Sequence, residues 1–170
     1  MNYSEIEQDI FTVSKSYHLA HCIAADLRMG AGIAVPMQDT FDIRRKIIRI
    51  STLKGQDVRY PSCILTGRVF NLITKDESHH KPTYQSLESA LASMKSIALK
   101  KNIFHIAMPQ IGCGLDRLKW ETVKEIIQNT FQGTGINILV CMWNDKSADS
   151  GGGGPAILTP GTENDVKEEL

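Results

Sequence analysis

The sequence predicts an α/β fold in which buried strands are covered by helices. Short apolar stretches alternate along the chain with longer segments in which apolar residues recur every three or four positions. Several of the short stretches are apolar at nearly every position, which is typical of strands buried on both faces. This alternation favours an α/β layer sandwich, a fold class that binds ligands in the crevice beyond the carboxyl ends of its strands.

Five strands are predicted from these apolar stretches. They span residues 19–24, 63–66, 69–74, 103–108 and 136–143. Each has the length of a strand rather than of a helix. We expect them to form the central sheet.

Three helices are predicted, one of them over residues 41–50. The clearest covers residues 83–99, where Thr83 is placed to cap the first turn. Its predicted buried face consists of Tyr84, Leu87, Leu91, Met94 and Ala98. The remaining helix covers residues 118–131 and is ended by Gly133 and Gly135. Its predicted buried face consists of Val123, Ile126, Ile127 and Phe131.

The composition indicates one domain without a strong overall charge. With 170 residues, of which 42% are hydrophobic, the chain can bury one core but not two of ordinary size. Its 19 lysines and arginines balance 19 aspartates and glutamates, which argues against nonspecific binding to nucleic acid or to an anionic membrane. No apolar stretch is long enough to cross a membrane, so no membrane partner is expected. Any anionic ligand must therefore be held by local geometry.

The cysteines indicate a reducing compartment. Cys22, Cys63, Cys113 and Cys141 show neither close pairs nor the spacing of metal ligands. No secretory signal precedes them, so free thiols are expected. Cytoplasmic or nuclear localisation, or both, is the corresponding expectation.

The chain changes character near its end. Residues 147–170 combine four consecutive glycines with an acidic terminal segment, whereas residues 1–146 carry the strand and helix pattern. We therefore predict one domain over residues 1–146, followed by a flexible tail over residues 147–170. The tail is interpreted as a solvated extension, with a partner-binding tail or a processing linker as the alternatives.

Two glycine-bearing segments follow predicted strands. The first glycine loop is Arg-Met-Gly-Ala-Gly-Ile-Ala at residues 28–34, and the second is Pro-Gln-Ile-Gly-Cys-Gly-Leu-Asp at residues 109–116. Glycine can adopt a positive φ and has no Cβ, so backbone N–H groups of such loops can converge on an anion. Neither loop has the spacing of a dinucleotide-binding or nucleoside-triphosphate-binding loop. Each is thus either a tight turn or one side of a phosphate-binding cradle.

Five segments together resemble the macrodomain family. They are LAHCI at residues 19–23, RMGAGIA at 28–34, LITK at 72–75, HKPTY at 80–84 and MPQIGCGLDRLKW at 108–120. More narrowly, the chain is similar to the branch typified by the terminal ADP-ribose protein glycohydrolase, over about residues 9–142. Five segments in the same order are far more specific than either glycine loop alone.

The resemblance implies a macrodomain-like three-layer α/β/α sandwich with a mixed central sheet and an ADP-ribose cleft at its top. It implies that ADP-ribose or an ADP-ribosylated protein is the substrate, and it leaves poly(ADP-ribose) open as a further partner. It implies that neither a metal nor a cofactor is needed. The protein is expected to be a monomer.

The resemblance also assigns residues to the ligand. Asp9, after a short first strand, would accept a hydrogen bond from the adenine amino group; the alternative for Asp9 is a turn or helix-cap residue. The two glycine loops would face each other across the distal ribose and the diphosphate. Cys113 would contribute its backbone rather than its thiol. The implied ADP-ribose-binding residues are Asp9, Ile10, Met29, Gly30, Ala31, Gly32, Ile33, Ile111, Gly112, Cys113, Gly114 and Leu115.

Lys75 and Asp116 are the catalytic residues that the resemblance implies. The lysine would attack the anomeric carbon of the distal ribose, releasing the modified carboxylate and leaving a covalent lysyl adduct. The aspartate would assist proton transfer and resolve that adduct. These residue types suit the chemistry, because a lysine amine is a nucleophile only when neutral and a carboxylate can accept its proton. The alternatives are a surface lysine at a strand end and an N-cap aspartate for the following helix.

The function implied by the resemblance is an ADP-ribose glycohydrolase. It would remove terminal ADP-ribose from modified acidic side chains, with deacylation of O-acyl-ADP-ribose as a further activity of the same site. A noncatalytic ADP-ribose-binding module is one alternative, because binding needs the glycine loops but neither Lys75 nor Asp116. A hydrolase of ADP-ribose-1''-phosphate or of ADP-ribosylated nucleic acid is the other.

Several remaining features have ordinary structural interpretations. Adjacent His79 and His80 are expected to point apart, and no carboxylate or cysteine pattern completes a metal site. The basic run at residues 44–49 is typical of a solvated helix face, with RNA or poly(ADP-ribose) as the alternative contact. Trp120 is expected to pack beneath the second glycine loop, and Trp143 either stacks on adenine or has a structural role.

Overall fold

The computed structural model describes residues 2–143 of the chain. Its strands are β1 (Asn2–Glu7), β2 (His18–Ala24), β3 (Ser62–Thr66), β4 (Val69–Lys75), β5 (His105–Met108) and β6 (Asn137–Met142). Its helices are α1 (Ala34–Phe41), α2 (Ile43–Lys54), α3 (Tyr84–Lys100) and α4 (Trp120–Phe131). None of these helices is long and apolar enough to cross a membrane. The predicted tail at residues 147–170, and the boundary before it, lie outside the described residues.

The six described strands form one mixed sheet in the order β1-β6-β5-β2-β4-β3. All neighbouring pairs are parallel except β3 and β4, which are antiparallel at one edge. The carboxyl ends of β2, β4 and β5 therefore lie at the same side of the sheet. The register between β2 and β4 shifts after Ile23, so that Ala24 pairs with Lys75 and Thr74 is skipped. Such an irregularity changes the direction of the side chains that follow it.

Helices cover both faces of the sheet and divide the core in two. α3 and α4 enclose one cluster, to which β4 contributes Phe70 and Leu72. α1 and α2 enclose the other, to which β4 contributes Val69 and Ile73. One strand can supply both clusters because its successive side chains point to opposite faces. The predicted three-layer sandwich with a mixed sheet is confirmed.

The five strands predicted from apolar stretches are confirmed, with ends that differ by at most two residues. β1, which the apolar pattern did not reveal, is an edge strand paired only with β6. It carries Glu5 and Glu7, and none of its described side chains is fully buried. An edge strand of this composition gives no apolar signal.

The helix predicted at residues 41–50 is confirmed as α2, with ends that differ by two and four residues, whereas α1 before it was not predicted. Two helices, α1 and α2, occupy this region and meet at Asp42, whose φ of 50° interrupts the helical path. α1 starts within the first glycine loop and has Pro36 in its first turn, where the missing N–H costs no hydrogen bond. α1 has only eight residues, of which five are buried, so it shows no clear amphipathic period.

The helix predicted at residues 83–99 is confirmed as α3, and Thr83 caps it. The Thr83 hydroxyl accepts a hydrogen bond from the Ser86 N–H at 2.9 Å, and the Ser86 hydroxyl accepts one from the Thr83 N–H at 3.0 Å. Ser86 Oγ also donates to the Thr74 carbonyl at 2.8 Å, which joins the start of α3 to the end of β4. Two residues of the predicted buried faces, Tyr84 here and Ile126 on α4, are only half-buried.

α4 starts at Trp120, two residues later than predicted, and ends before Gly133, as predicted. Gly133 follows it with a φ of 77°, a conformation that glycine adopts readily. Lys119 occupies the N-cap position and makes no capping hydrogen bond with its side chain. The alternative role of Asp116 as the N-cap of this helix is therefore wrong.

A buried polar contact joins β2 to β4. His21 Nε2 lies 2.6 Å from Asn71 Oδ1, and neither residue is exposed. Asn71 Nδ2 donates to the Ile64 carbonyl and to the Thr66 hydroxyl, which extends the contact to β3. Burial lowers the pKa of His21 to about 4, and the hydrogen bond to Asn71 opposes this effect only in part. His21 is therefore neutral at neutral pH.

Stability is expected to fall as the pH falls from about 6.5 to about 4. In this window the unfolded chain protonates His21 while the folded chain keeps it neutral, so the unfolded state binds more protons. The contribution is fully present above the unfolded pKa and amounts to roughly 3 kcal/mol. Urea unfolding across this pH range measures it. His21→Gln should flatten the dependence, and an equal slope in both proteins would contradict this origin.

Thr83→Ala is expected to lower the free energy of unfolding by about 1 kcal/mol, because the Ser86 N–H loses its capping partner. Denaturant unfolding at constant pH measures the change. Ser89→Ala is the matched control, since Ser89 is exposed in the interior of the same helix. Equal losses in the two variants would contradict the capping role.

Candidate active site

A cavity of about 640 Å³ opens beyond the carboxyl ends of β2, β4 and β5. Both glycine loops line it, together with the ends of two strands and the segment that follows β4. The lining consists of residues 22–24, 28–34, Lys75, Ser78, Lys81, 109–112 and 114–117. This is the crevice that the predicted fold class uses for ligands.

The first glycine loop forms one wall of the cavity and leads directly into α1. Gly32 has a φ of 60°, which costs glycine little. Leu27 and Met29 also have positive φ values, 59° and 46°, although both carry side chains. Each of these two side chains is buried in the core cluster of α1 and α2. Their burial helps to hold a backbone conformation that is unfavourable for residues with a Cβ.

The second glycine loop forms the opposite wall. Gly112 has a φ of 74°, and a Cβ at this position would lie 2.9 Å from Leu118 Cδ1. The Leu118 N–H donates to the Gly112 carbonyl at 2.7 Å, which folds the chain back after the loop. Trp120 packs in the same core cluster as Ile111 and Leu118, and its indole N–H donates to the Glu5 carboxylate at 3.3 Å. The segment that follows the loop is thus joined to β1 through the indole of Trp120.

Lys75 and Asp116 meet inside the cavity. Lys75 is the last residue of β4, and Asp116 ends the second glycine loop. Lys75 Nζ lies 2.8 Å from Asp116 Oδ1, and the two side chains are 15% and 17% exposed. The pair is therefore shielded from bulk solvent yet open to a ligand in the cavity. An amine and a carboxylate at this distance can exchange a proton directly.

Side-chain contacts join three chain segments at the mouth of the cavity. Asp26, just after β2, accepts hydrogen bonds from the N–H and the hydroxyl of Ser78, each at 2.7 Å. Lys81 Nζ donates to the Leu115 carbonyl at 2.7 Å. Leu115 reaches the first loop, because a Cβ on Gly32 would lie 3.8 Å from Leu115 Cδ1. The two walls and the segment after β4 therefore form one connected rim.

Sequence reasoning missed Asp26 and Lys81, which hold this rim together. Burial acts to raise the pKa of Asp26, but hydrogen bonds from Arg28 and Ser78 outweigh it and lower that pKa below its ordinary value. Asp26 is thus a charged acceptor at neutral pH. The positions of Asp26 and Lys81 after β2 and β4 were the only indication in the sequence. Polar residues that follow neighbouring parallel strands lie at the same side of a sheet, where ligands bind.

Three of the residues assigned to ADP-ribose lie outside the cavity lining. Asp9 Oδ1 accepts a hydrogen bond from the Phe11 N–H at 3.0 Å and thereby caps the 3-10 turn Ile10–Thr12. Ile10 is buried in the core. Cys113 points its thiol to the Ile111 carbonyl. Trp143, for which stacking on adenine was one of two expected roles, also lies outside the cavity lining, and its side chain is 58% exposed.

The cysteine thiols are protonated at neutral pH. Burial raises the pKa of the thiol in every case, for Cys141 to about 11. Cys22 lines the cavity, and the nearby Asp116 carboxylate raises its pKa further. A thiolate nucleophile is therefore disfavoured.

The expectation that His79 and His80 point apart is wrong. Their ring centroids lie 4.4 Å apart in an edge-to-face arrangement. His79 Nδ1 faces the Glu77 carboxylate at 3.4 Å, and His80 Nδ1 accepts a hydrogen bond from the Glu77 N–H at 3.3 Å. Donor atoms of the three side chains lie within 4.8 Å of one another, but all three residues are exposed. The tight turn after β4, rather than the alternation of an extended chain, brings the rings together.

Comparison with known proteins gives consistent matches. The chain matches the family model described as Macro domain over residues 51–127. It is 42% identical over 142 residues to the ADP-ribose glycohydrolase OARD1 of Homo sapiens, covering 79% of this chain and 88% of that protein. The macrodomain of Thermus aquaticus DarG superposes with a TM-score of 0.70 at 20% identity, covering 82% of this chain and 97% of that one. Thermosipho africanus DarTG in complex with ADP-ribose superposes with a TM-score of 0.71 at 19% identity. The match covers 85% of this chain and 42% of that one.

A three-layer sandwich that presents two glycine loops to one cavity defines a small-molecule-binding α/β domain. The chain belongs to the macrodomain family, as the five sequence segments predict. The human relative, which matches this chain over most of the length of both proteins, is a hydrolase of the macrodomain type. The likeness to the two DarG-type structures, at 20% identity or below, concerns the fold.

Gly112→Ala is expected to lower the free energy of unfolding by roughly 1–2 kcal/mol, because alanine disfavours a positive φ and its Cβ displaces Leu118. Denaturant unfolding measures the change. Gly114→Ala is the matched control in the same loop, since a Cβ there meets nothing within 4 Å. Equal stability of the two variants would show that Gly112 is not conformationally required.

Proposed function

We propose that this macrodomain is an ADP-ribose glycohydrolase that removes terminal ADP-ribose from modified acidic side chains, and that the same site deacylates O-acyl-ADP-ribose. The observation that carries the proposal is the 2.8 Å contact between Lys75 Nζ and Asp116 Oδ1 inside the cavity. The name of the human relative, an ADP-ribose glycohydrolase, supports the reaction class. The Thermosipho africanus complex supports ADP-ribose as a ligand of this fold.

In this proposal the two glycine loops hold the diphosphate and the distal ribose. Residues 29–33 and residues 111, 112, 114 and 115 face each other across the cavity. Backbone N–H groups of such loops, together with the N-terminus of α1, can neutralise a dianion without a cluster of basic side chains. This explains how a chain with no net charge can bind a diphosphate. The adenine contact assigned to Asp9 would use Oδ2, since Oδ1 already accepts from Phe11.

The first chemical step transfers the ADP-ribosyl group to the protein. Asp116 accepts a proton from the amine of Lys75, which lies within hydrogen-bond distance. The neutral amine attacks the anomeric carbon of the distal ribose and forms a carbon–nitrogen bond. The bond from that carbon to the acyl oxygen breaks, and the leaving carboxylate takes up the proton held by Asp116, which restores the Asp116 carboxylate.

The second step returns the enzyme to its starting state. Asp116, positioned beside the adduct, accepts a proton from a water molecule that attacks the same carbon. The carbon–nitrogen bond breaks, Lys75 leaves as a neutral amine and takes the proton back from Asp116, and free ADP-ribose leaves. The segment after β4, which Asp26 fixes through Ser78, borders this reacting centre.

A noncatalytic ADP-ribose-binding module would use the same cavity. It requires both glycine loops, but it gives no role to a shielded lysine and aspartate in contact. The pair therefore favours the hydrolase, and a direct comparison of binding with turnover decides between the two functions.

Lys75→Ala and Asp116→Ala are expected to lower the rate of ADP-ribose release from a glutamate-ADP-ribosylated protein by at least about 100-fold. Both should still bind ADP-ribose, because the glycine loops remain. Asp116→Ala is also expected to accumulate a covalent adduct on Lys75, which intact-protein and peptide mass spectrometry detect.

Lys54→Ala is the matched control, since Lys54 is exposed at the end of α2, and it should release ADP-ribose like the wild type. Unfolding of each variant separates loss of chemistry from loss of fold. A wild-type protein that binds ADP-ribose but leaves the modified glutamate intact would overturn the hydrolase proposal in favour of a binding module.

A further inference from the structure

Arg44 lies outside the cavity lining, yet its side chain contacts the chain segment that enters the first glycine loop. Its Nε–H donates to the Leu27 carbonyl at 2.6 Å, and Nη2 donates to the Arg28 carbonyl at 2.5 Å. A planar guanidinium can bind two acceptors in a fixed geometry, which the single ammonium of a lysine cannot reproduce. This member of the basic run therefore binds specific backbone groups.

These two carbonyls belong to backbone that needs support. Leu27 and Met29 both have positive φ values, and such conformations persist only where neighbouring contacts hold them. Because a trans peptide is planar, fixing the Arg28 carbonyl also fixes the Met29 N–H, which points the opposite way. Met29 lines the cavity. The guanidinium thus sets the direction in which the chain enters the loop.

Arg44 is held in turn from the helix that leaves the loop. Its backbone N–H donates to Gln38 Oε1 on α1 at 2.8 Å. α1 starts at Ala34, at the exit of the loop, and Arg44 is the second residue of α2. Arg44 therefore connects α1, which follows the loop, to the residues that precede the loop. Contacts at the end of the loop thus support the backbone at its start.

We propose that Arg44 is a positioning residue for ligand recognition, and that its guanidinium holds the first glycine loop in the binding conformation before the ligand arrives. The identity of the ligand, ADP-ribose, rests on the proposed function. If a loop is competent for only a fraction of the time, the apparent Kd rises by the inverse of that fraction.

The test compares Arg44→Met and Arg44→Lys with Arg45→Met. Arg45 is the matched control, because it has the same charge, is adjacent in α2 and pairs with Asp42 on the surface. Amide hydrogen exchange of residues 28–33 is measured without ligand, and the Kd for ADP-ribose is measured by calorimetry. We expect faster loop exchange and roughly tenfold weaker binding in Arg44→Met, smaller changes in Arg44→Lys, and wild-type values in Arg45→Met.

The two measurements separate this inference from the proposed function. Unchanged loop exchange in Arg44→Met would overturn the positioning role, whatever the protein binds. Faster loop exchange, in a protein whose wild type fails to bind ADP-ribose, would support the positioning role and overturn the ligand. Equal acceleration of exchange in all four helices would indicate general destabilisation and also overturn it. If Arg44→Met does not fold, Arg44→Lys replaces it in the test. Loop exchange and affinity equal to the wild type in Arg44→Lys would then overturn the positioning role.

Discussion

Complete burial of β4 between two helix layers is the constraint on which the rest of the structure depends. From Val69 to Thr74 no residue is more than 1% exposed. An unpaired amide is costly in a strand enclosed on both faces, and Asn71 is paired with His21 and with groups on β3. Lys75 is the first residue of this strand to leave the core. A charged side chain at this position emerges beside the cavity and cannot be placed earlier in the strand without burying its charge.

The conformation of the cavity walls depends both on packing in the core and on α2, the helix that carries Arg44. Gly32 and Gly112 supply positive φ values that glycine adopts at little cost. Leu27 and Met29 have the same kind of backbone at greater cost, offset by burial of their side chains and by the guanidinium of Arg44. Recognition therefore cannot be separated from packing in this domain. A substitution far from the ligand can alter the loop through α1 or α2.

The sequence was most informative where burial follows a regular period. Leu87, Leu91 and Met94 predicted α3, and the apolar run before Lys75 predicted β4, because each element buries its residues at the spacing of its own geometry. β1 and α1 escaped the same reasoning, since one is a polar edge strand and the other is short and mostly buried.

Some residues of the site could be predicted from the sequence and others could not. Lys75 and Asp116 were identified together only because they stand in separate segments of the family pattern, 41 positions apart. Asp26, Lys81 and Arg44 were not identified, because their partners are mostly backbone groups in other segments of the chain. Backbone partners leave no residue type in the sequence to mark them. The Leu115 side chain brings the two walls close together and is nevertheless 63% exposed, so the mouth of the cavity can be altered there at little cost to the stability of the core.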